Sequence, residues 1–218
     1  MCVRRNLHVK VRAYETRCNL QVAPWKFDHG KILAQSHAVQ IGDQCFGEEL
    51  RENLAVIGAE LCLKVLHNLP ARLQCAKEQG SLISSLAPKV TLKDTLLDFR
   101  KMTAEDVWNK YRAFGYKEQF HLRCAYDDQP IKLTELSLPS IKNWRSQVRC
   151  EEIQPGQAFY HKRLDKVLII CKDELIACSS FKFCNKKLSA KDFYNGHMQV
   201  KVKRGEMPLF RSMVVCRE

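Results

Sequence analysis

The stretch KVLIICKDELIACSSFKF, residues 166–183, decides the fold of the C-terminal half of the chain. Its first part is almost wholly apolar, its last part mixes apolar and polar residues, and Lys172-Asp173-Glu174 lies between them. This pattern predicts two β-strands, at 166–171 and 175–183, joined by a tight turn.

Three more alternating runs lie on the N-terminal side of this stretch, at 119–124, 131–136 and 157–161. The sequence Asp-Asp-Gln-Pro at 127–130 separates the first two as a turn. Five or six short strands within about ninety residues are typical of a small closed barrel, of which the OB-fold is a common nucleic-acid-binding type. We therefore predict an OB-like barrel in an α+β chain.

Two helices accompany the predicted strands. The first covers 103–114, where Thr103 and Asp106 form a capping-box pattern and Gly115 follows as a stop. The second covers 190–195, with Ser189 as its N-cap.

The end of the chain looks less regular. Gly196 is predicted to end the last helix, and Asp192 supports its first turn. Residues after Met198 are basic and weakly patterned, which predicts a frayed tail.

The N-terminal half predicts an α/β layer. Runs at 31–35 and 38–41 are typical of short strands, and residues 46–69 of an amphipathic helix that Pro70 ends. The apolar stripe of this helix consists of Leu50, Leu54, Ile57, Leu61 and Val65. Weak periodicity, one glycine and several serines at 75–87 then indicate a linker.

Charge is concentrated in the C-terminal half. The net charge is +12, from 36 Lys and Arg against 24 Asp and Glu. Residues 1–88 carry 11 basic and 8 acidic side chains, and residues 89–218 carry 25 and 16. A basic half of this kind favours a polyanionic partner, because each phosphate contact releases condensed counterions. General solubility is the alternative.

Several classes of protein receive no support. No apolar run approaches the length of a membrane helix. Eleven cysteines occur at irregular spacings without any C-x-x-C, so we predict no metal site and treat most of them as small core residues. A cysteine-based metal or redox protein stays open as a weaker alternative. No Gly-rich phosphate loop or G-x-S-x-G motif is present.

Candidate site residues fall into two groups. Asp28 stands two residues before Gly30 at the start of a predicted strand, where it is either a turn residue or a proton acceptor at the edge of a cleft. Basic residues mixed with the aromatic residues Trp108, Tyr111 and Tyr116 suggest phosphate contact, although inward packing is favoured for the aromatic rings. The basic candidates here and around a further predicted turn are Lys110, Arg112, Lys182, Lys186 and Lys187.

Six segments in order resemble the methionyl-tRNA formyltransferase family. The segment FDHGKILAQ at 27–35 is similar to its D-x-G-x-I-L-x-Q motif, and the helix with Ile57-Gly58-Ala59 is similar to the one that follows. The remaining matches are LAPKV at 86–90, LDF at 97–99, TAED at 103–106 with YRAF at 111–114, and LSAKDFYNG at 188–196, the last resembling the mitochondrial form.

The resemblance implies five segments. Residues 1–21 are unmatched, 22–74 are the end of the Rossmann-like formyltransferase catalytic domain, 75–88 the linker, 89–200 the OB-like tRNA-binding domain, and 201–218 a basic tail. Asp28 takes the position of the catalytic aspartate. Lys89, with Arg112, matches a basic position of the family, and its charge suggests tRNA contact.

Activity and partners also follow from the resemblance. The family formylates initiator methionyl-tRNA with 10-formyltetrahydrofolate, which implies a monomeric, membrane-free protein of the mitochondrial matrix. The family's catalytic Asn and His belong to an N-x-H segment that has no match here, so we expect this chain to be inactive alone. Residues 1–20 are basic like a transit peptide but alternate like a strand at 7–14. A non-catalytic tRNA-binding module is the alternative function.

Overall fold

The computed structural model describes residues 15–21, 30–79, 89–141, 144 and 153–213. Two compact units divide the chain, residues 1–90 and residues 91–218. No helix in the described part of the chain is long and apolar enough to cross a membrane.

The first unit contains four short strands and two helices. Its elements are β1 (Glu15–Thr16), β2 (Asn19–Gln21), β3 (Ile32–Gln35), β4 (Val39–Gln40), α1 (Gly47–Leu66) and α2 (Leu69–Gln74). The strands predicted at 31–35 and 38–41 are present as β3 and β4. They do not pair with each other, since β3 pairs with β2, and β4 with β1, both antiparallel.

Helix α1 buries two residues of the predicted stripe and leaves the other three partly exposed. Leu54 and Val65 are each 1% exposed, whereas Val56, Leu63 and Leu66, which lie off the stripe, are about 60% exposed. The predicted end at Pro70 was wrong: α1 ends at Leu66, and Pro70 lies in the first turn of α2. Proline is tolerated there because the first backbone amides of a helix have no intrahelical acceptor.

Residues 75–79, assigned to the linker, are partly tied to the first unit. Lys77 exchanges two backbone hydrogen bonds with Ile32, at 2.8 and 3.0 Å. Gln79 also donates its side-chain amide to the Gly30 carbonyl at 2.7 Å. This part of the segment is therefore an ordered extension of the β3 edge.

The second unit is built on one antiparallel sheet. Its strands are β5 (Leu122–Tyr126), β6 (Gln129–Ser137), β7 (Ala158–His161), β8 (Lys166–Ile170), β9 (Leu175–Phe183), β10 (Lys186–Ser189) and β11 (Phe210–Arg211). The order is β11-β5-β6-β9-β8-β7, and β10 pairs with β9. All five predicted strands are present, within a few residues of their expected bounds.

Short helices accompany this sheet. They are a 3₁₀ turn (Leu92–Thr95), α3 (Ala104–Lys110), a π-helical turn (Tyr111–Gly115), a 3₁₀ turn (Glu118–Phe120), α4 (Ala190–Phe193), a second π-helical turn (Tyr194–Met198) and α5 (Gln199–Lys203). The predicted capping box is confirmed, because Thr103 Oγ1 accepts from the Asp106 amide and Asp106 Oδ2 accepts from the Thr103 amide.

Both faces of β8 are covered, which explains its unbroken apolar run. On one face, Val167 and Ile169 are fully buried. The other face contributes Leu168 and Ile170 to a cluster around Trp144. A strand buried on both faces needs no polar alternation.

The C-terminal expectations were wrong in two respects. Gly196 does not end the last helix, since the helical backbone continues through Lys203 and the positive φ of +77° occurs at Gly205. The predicted frayed tail is ordered as far as β11, where Phe210 pairs with Tyr126 and is 2% exposed. Burial of the Phe210 ring in the aromatic core supplies the free energy that orders this segment.

Candidate nucleic-acid interface

Four basic side chains form one row across four neighbouring strands. The register places Arg123 of β5 opposite Lys132 of β6, Lys132 opposite Lys182 of β9, and Lys182 opposite Lys187 of β10. Residues directly opposite one another in a sheet project from the same face. We call Arg123, Lys132, Lys182 and Lys187 the basic row.

The basic row lies on the outer face of the sheet. In β5, Arg123 stands between Leu122 and Cys124, which are both fully buried on the inner face. In β9, Lys182 stands between the buried Phe181 and Phe183. The alternation therefore places the aromatic core beneath the sheet and the cations above it.

Two carboxylates partly neutralise the row. Glu118 Oε1 lies 3.4 Å from Lys182 Nζ, and Glu135 Oε1 lies 3.0 Å from Lys187 Nζ. Arg123 and Lys132 have no carboxylate within ion-pair distance among the described residues. Because like charges directly opposite destabilise a sheet, a row with four cations and two carboxylates is suited to an external anion.

His121 lies beside the row, directly before β5. Burial of the ring lowers its pKa, the charges of Lys132, Lys182 and Lys187 lower it further, and only Glu118 opposes them. The imidazole is therefore held in its neutral form at pH 7.

The predicted basic residues near the β9–β10 turn have two orientations. Lys182 and Lys187 belong to the row. Lys186 pairs with Phe183 and so projects from the opposite side of β10, where it is exposed.

The two predicted cations of the helix 103–114 contact the protein itself. Lys110 Nζ donates to the carbonyl oxygens of Asp94 and Leu96, at 2.9 and 3.3 Å. Arg112 Nε donates to Asn109 Oδ1 at 2.8 Å. Lys110 satisfies the end of a 3₁₀ turn, which argues for a structural role and against phosphate contact.

The remaining two predicted site residues, Lys89 and Asp28, belong to the first unit. Lys89 is exposed and belongs to residues 1–90, so it is not part of the unit that carries the row. Asp28 lies outside the described residues.

The aromatic residues of α3 pack inward, as we expected. Trp108 and Tyr111 are 5% and 7% exposed, with ring centroids 5.7 Å apart. Tyr111 also donates its hydroxyl to the Thr134 carbonyl at 3.1 Å. These two rings are core residues and offer no face for stacking on a base.

Four cysteines of the described chain are core residues. Cys18, Cys124, Cys171 and Cys178 are at most 4% exposed. Burial raises the pKa of the Cys178 thiol to about 12 and raises the pKa of the Cys124 thiol well above its ordinary value. In the described part of the chain, no group of three or more His, Cys, Asp or Glu side chains is arranged to hold a metal ion.

Arg123, Lys132 and His121 were not identified from the sequence. The positions of the cations relative to the two hairpin turns could have shown which of them lie opposite each other. Arg123 and Lys132 are equally far from the two-residue turn Asp127-Asp128, and Lys182 and Lys187 are equally far from Cys184-Asn185. All four turn residues have positive φ, the conformation of two-residue hairpin turns, which fix the register of the flanking strands.

Comparison with known proteins defines the class to which this geometry belongs. Residues 89–198 match the family model described as "Formyl transferase, C-terminal domain". The chain belongs to this family. HypX from Aquifex aeolicus, solved in complex with tetrahydrofolic acid, has a similar fold with a TM-score of 0.59 and 14% identity, over 88% of this chain and 33% of that chain.

Curated relatives narrow the class. Over 82% of its length, the chain is 32% identical to the mitochondrial methionyl-tRNA formyltransferase of Bos taurus and 31% identical to that of Homo sapiens. It spans 45% of the length of each of these relatives.

Proposed function

We propose that this chain is the tRNA-binding portion of a methionyl-tRNA formyltransferase of the mitochondrial matrix, with initiator methionyl-tRNA as its partner. The mitochondrial relatives and the match of residues 89–198 support this assignment. In the whole enzyme, the reaction transfers a formyl group from 10-formyltetrahydrofolate to the amine of the methionyl ester. We further propose that the chain works as a monomer.

The basic row is the observation that carries tRNA binding. A row of four strands spans about 14 Å, since neighbouring strands are about 4.8 Å apart. Repeated phosphates suit such a row better than a single small anion, because each contact adds counterion release. Of the predicted contacts, Lys182 and Lys187 fit this interface, and the exposed Lys186 and Lys89 are further contacts outside the row.

The finer architecture is also part of the proposal. Residues 89–200 form an OB-like barrel, which is supported by hydrogen bonds between residues 156–158 and 208–210 at the two ends of the strand order. Residues 22–74 form the end of a Rossmann-like catalytic domain in which Asp28 takes up a proton.

Formyl transfer by this chain alone is not expected. A neutral amine attacks the formyl carbon, and the oxyanion that develops needs hydrogen-bond donors. Loss of a single such donor typically slows a reaction about 10²- to 10³-fold. The family's Asn and His have no counterpart in this sequence. Among the described residues, we propose no side chain that binds the folate donor.

A non-catalytic tRNA-binding module is the second candidate. The same basic row favours it, because the row needs no reaction centre to bind phosphates. Formyl-transfer assays on this chain and on a version extended upstream separate the two. Activity in the extended version supports the enzyme, whereas binding without activity in either version supports the module.

Binding itself is tested by measuring the affinity of the full chain for initiator tRNA between low and moderate salt. We expect K182Q/K187Q to weaken binding about 10- to 100-fold. We also expect the slope of log affinity against log salt concentration, which we call the salt slope, to fall by the equivalent of about two phosphate contacts. The control K162Q/R163Q removes the same charge from the exposed turn that joins β7 to β8. Equal effects of the two double variants, or binding that salt does not weaken, would contradict the proposed interface.

A further inference from the structure

One end of the basic row contains two buried nitrogen atoms without hydrogen-bond partners. Among the described residues, neither His121 Nδ1 nor Arg123 Nε has a hydrogen-bond partner, and both atoms are inaccessible to solvent. His121 directly precedes β5 with an extended ψ, and Arg123 lies two positions further on, so the two side chains are directed to the outer face of the sheet. Unsatisfied buried polar atoms are rare in native proteins, and a missing ion is one of their recognised causes.

Among the described residues, the two cations at this end of the row lack an internal carboxylate partner. Glu118 and Glu135 pair with Lys182 and Lys187, although the charge of Glu118 also acts on His121. Within the described residues, Arg123 and its cross-strand neighbour Lys132 have no carboxylate partner. An incoming anion therefore meets no internal competitor at Arg123 and Lys132.

We propose that His121, Arg123 and Lys132 form the binding site for one phosphodiester group of the tRNA backbone, and that His121 takes up a proton when the phosphate binds. This inference rests on the proposed function and assigns it a particular contact. Arg123 supplies a guanidinium suited to phosphate oxygens, and Lys132 supplies a second cation on the neighbouring strand. When protonated, the imidazole carries an N–H on both nitrogen atoms, so Nδ1 donates to the phosphate whatever the partner of Nε2, and the ring adds a positive charge.

The charges around His121 determine the direction of the effect. Without tRNA, burial and the positive charges of Lys132, Lys182 and Lys187 keep the pKa of His121 below the ordinary histidine value, against the single charge of Glu118. Glu135 and Arg123 complete the charged groups of the row. A bound phosphate adds negative charge next to the ring and so raises this pKa.

Proton uptake makes binding depend on pH. A group whose pKa is higher in the complex than in the free protein strengthens binding as the pH falls through the pKa of the complex. Each unit of difference between the two pKa values corresponds to about tenfold tighter binding at low pH. The affinity for tRNA should stop rising once the pH falls below the pKa of His121 in the free protein.

Histidine-selective ¹³C labelling tests this directly, because NMR titration of the full chain gives the pKa of His121 with and without tRNA. We expect the His121 pKa to rise by about one unit or more in the complex and to rise less with inorganic phosphate alone. The signal of the exposed His37, which lies far along the chain from the row, is the internal reference of the experiment. An unchanged His121 pKa in a tRNA complex that still shows the salt dependence of the row would overturn this inference and leave the proposed function intact.

Affinity measurements provide a second readout. Between about pH 5 and 8, H121Q should remove most of the pH dependence of tRNA binding, whereas H37Q should keep it. If H121Q is unstable, R123K serves instead, because it retains the charge but shortens the reach of the side chain to the phosphate. Absence of tRNA binding by the unaltered chain at every pH would overturn both this inference and the proposed function.

Discussion

Phe210 and Gly156 connect the two ends of the strand order in the second unit. The Phe210 amide donates to the Gly156 carbonyl at 2.7 Å, and the Ala158 amide donates to the Pro208 carbonyl at 2.9 Å. Gly156 has φ of +94°, and a Cβ at this position would overlap the Phe210 carbonyl oxygen. Only glycine allows both the conformation and the close approach of the two backbones.

Gly156→Ala should therefore destabilise the full chain by about 2–3 kcal/mol, because the backbone near Phe210 must move. Denaturant unfolding measures this change. Gly196→Ala is the matched control, since a Cβ at Gly196 meets nothing within 4 Å and its φ is not positive. A similar loss in both variants would show that the contact with Phe210 is not the cause.

Phe193 lies at the centre of the aromatic core. Its ring centroid is 4.5 Å from that of Phe181 and 5.1 Å from that of Tyr126, and the residue is fully buried. Phe193→Ala should lower the free energy of unfolding by about 3–5 kcal/mol, because it leaves a cavity. Val200→Ala, at an exposed helical position, should change it by less than about 0.5 kcal/mol. Comparable values for the two variants would contradict this arrangement.

Lys110 should matter for stability and not for tRNA binding. Lys110→Met removes hydrogen bonds to two backbone carbonyls and should cost about 1–2 kcal/mol in the free energy of unfolding. The salt slope of tRNA binding should stay the same, because Lys110 Nζ is engaged within the protein. A slope reduced by about one contact, with unchanged stability, would instead place Lys110 at the interface.

Cysteine reactivity should divide the thiols by burial. At pH 8, burial leaves Cys178, whose pKa is raised to about 12, with roughly a thousandfold less thiolate than an ordinary cysteine. Cys124, with its raised pKa, should resist alkylation likewise, while the exposed Cys75 and Cys184 react. Mass spectrometry after timed alkylation of the native chain measures each site. Fast labelling of Cys178 would reopen the redox alternative.

Local patterns in the sequence predicted those features that depend on near neighbours. The strand at 175–183 was correct to the residue because alternation and a charged turn define it. The Thr103–Asp106 capping box was correct because its four residues contact one another. Pro70 and Gly196 were misinterpreted, since each is compatible with more than one position in a helix, and packing decides between them.

Long-range pairing accounts for what the sequence did not reveal. Phe210 was assigned to a frayed tail because its two-residue strand exists only through pairing with β5. The hydrogen bonds of Lys110 to two backbone carbonyls were likewise not foreseen, because nothing in its neighbourhood along the chain shows that these carbonyls lie within its reach.

The amino-acid sequence by itself determined the basic charge of the C-terminal half, the strands and turns, and the two hairpins that place Arg123 opposite Lys132 and Lys182 opposite Lys187. These depend on interactions between residues close together in the chain. Only the tertiary structure decided that the hairpins join through β6 and β9, so that the two pairs become one row beside His121. That pairing depends on burial of the shared apolar face beneath the cations, a free energy that no short segment of the chain contains.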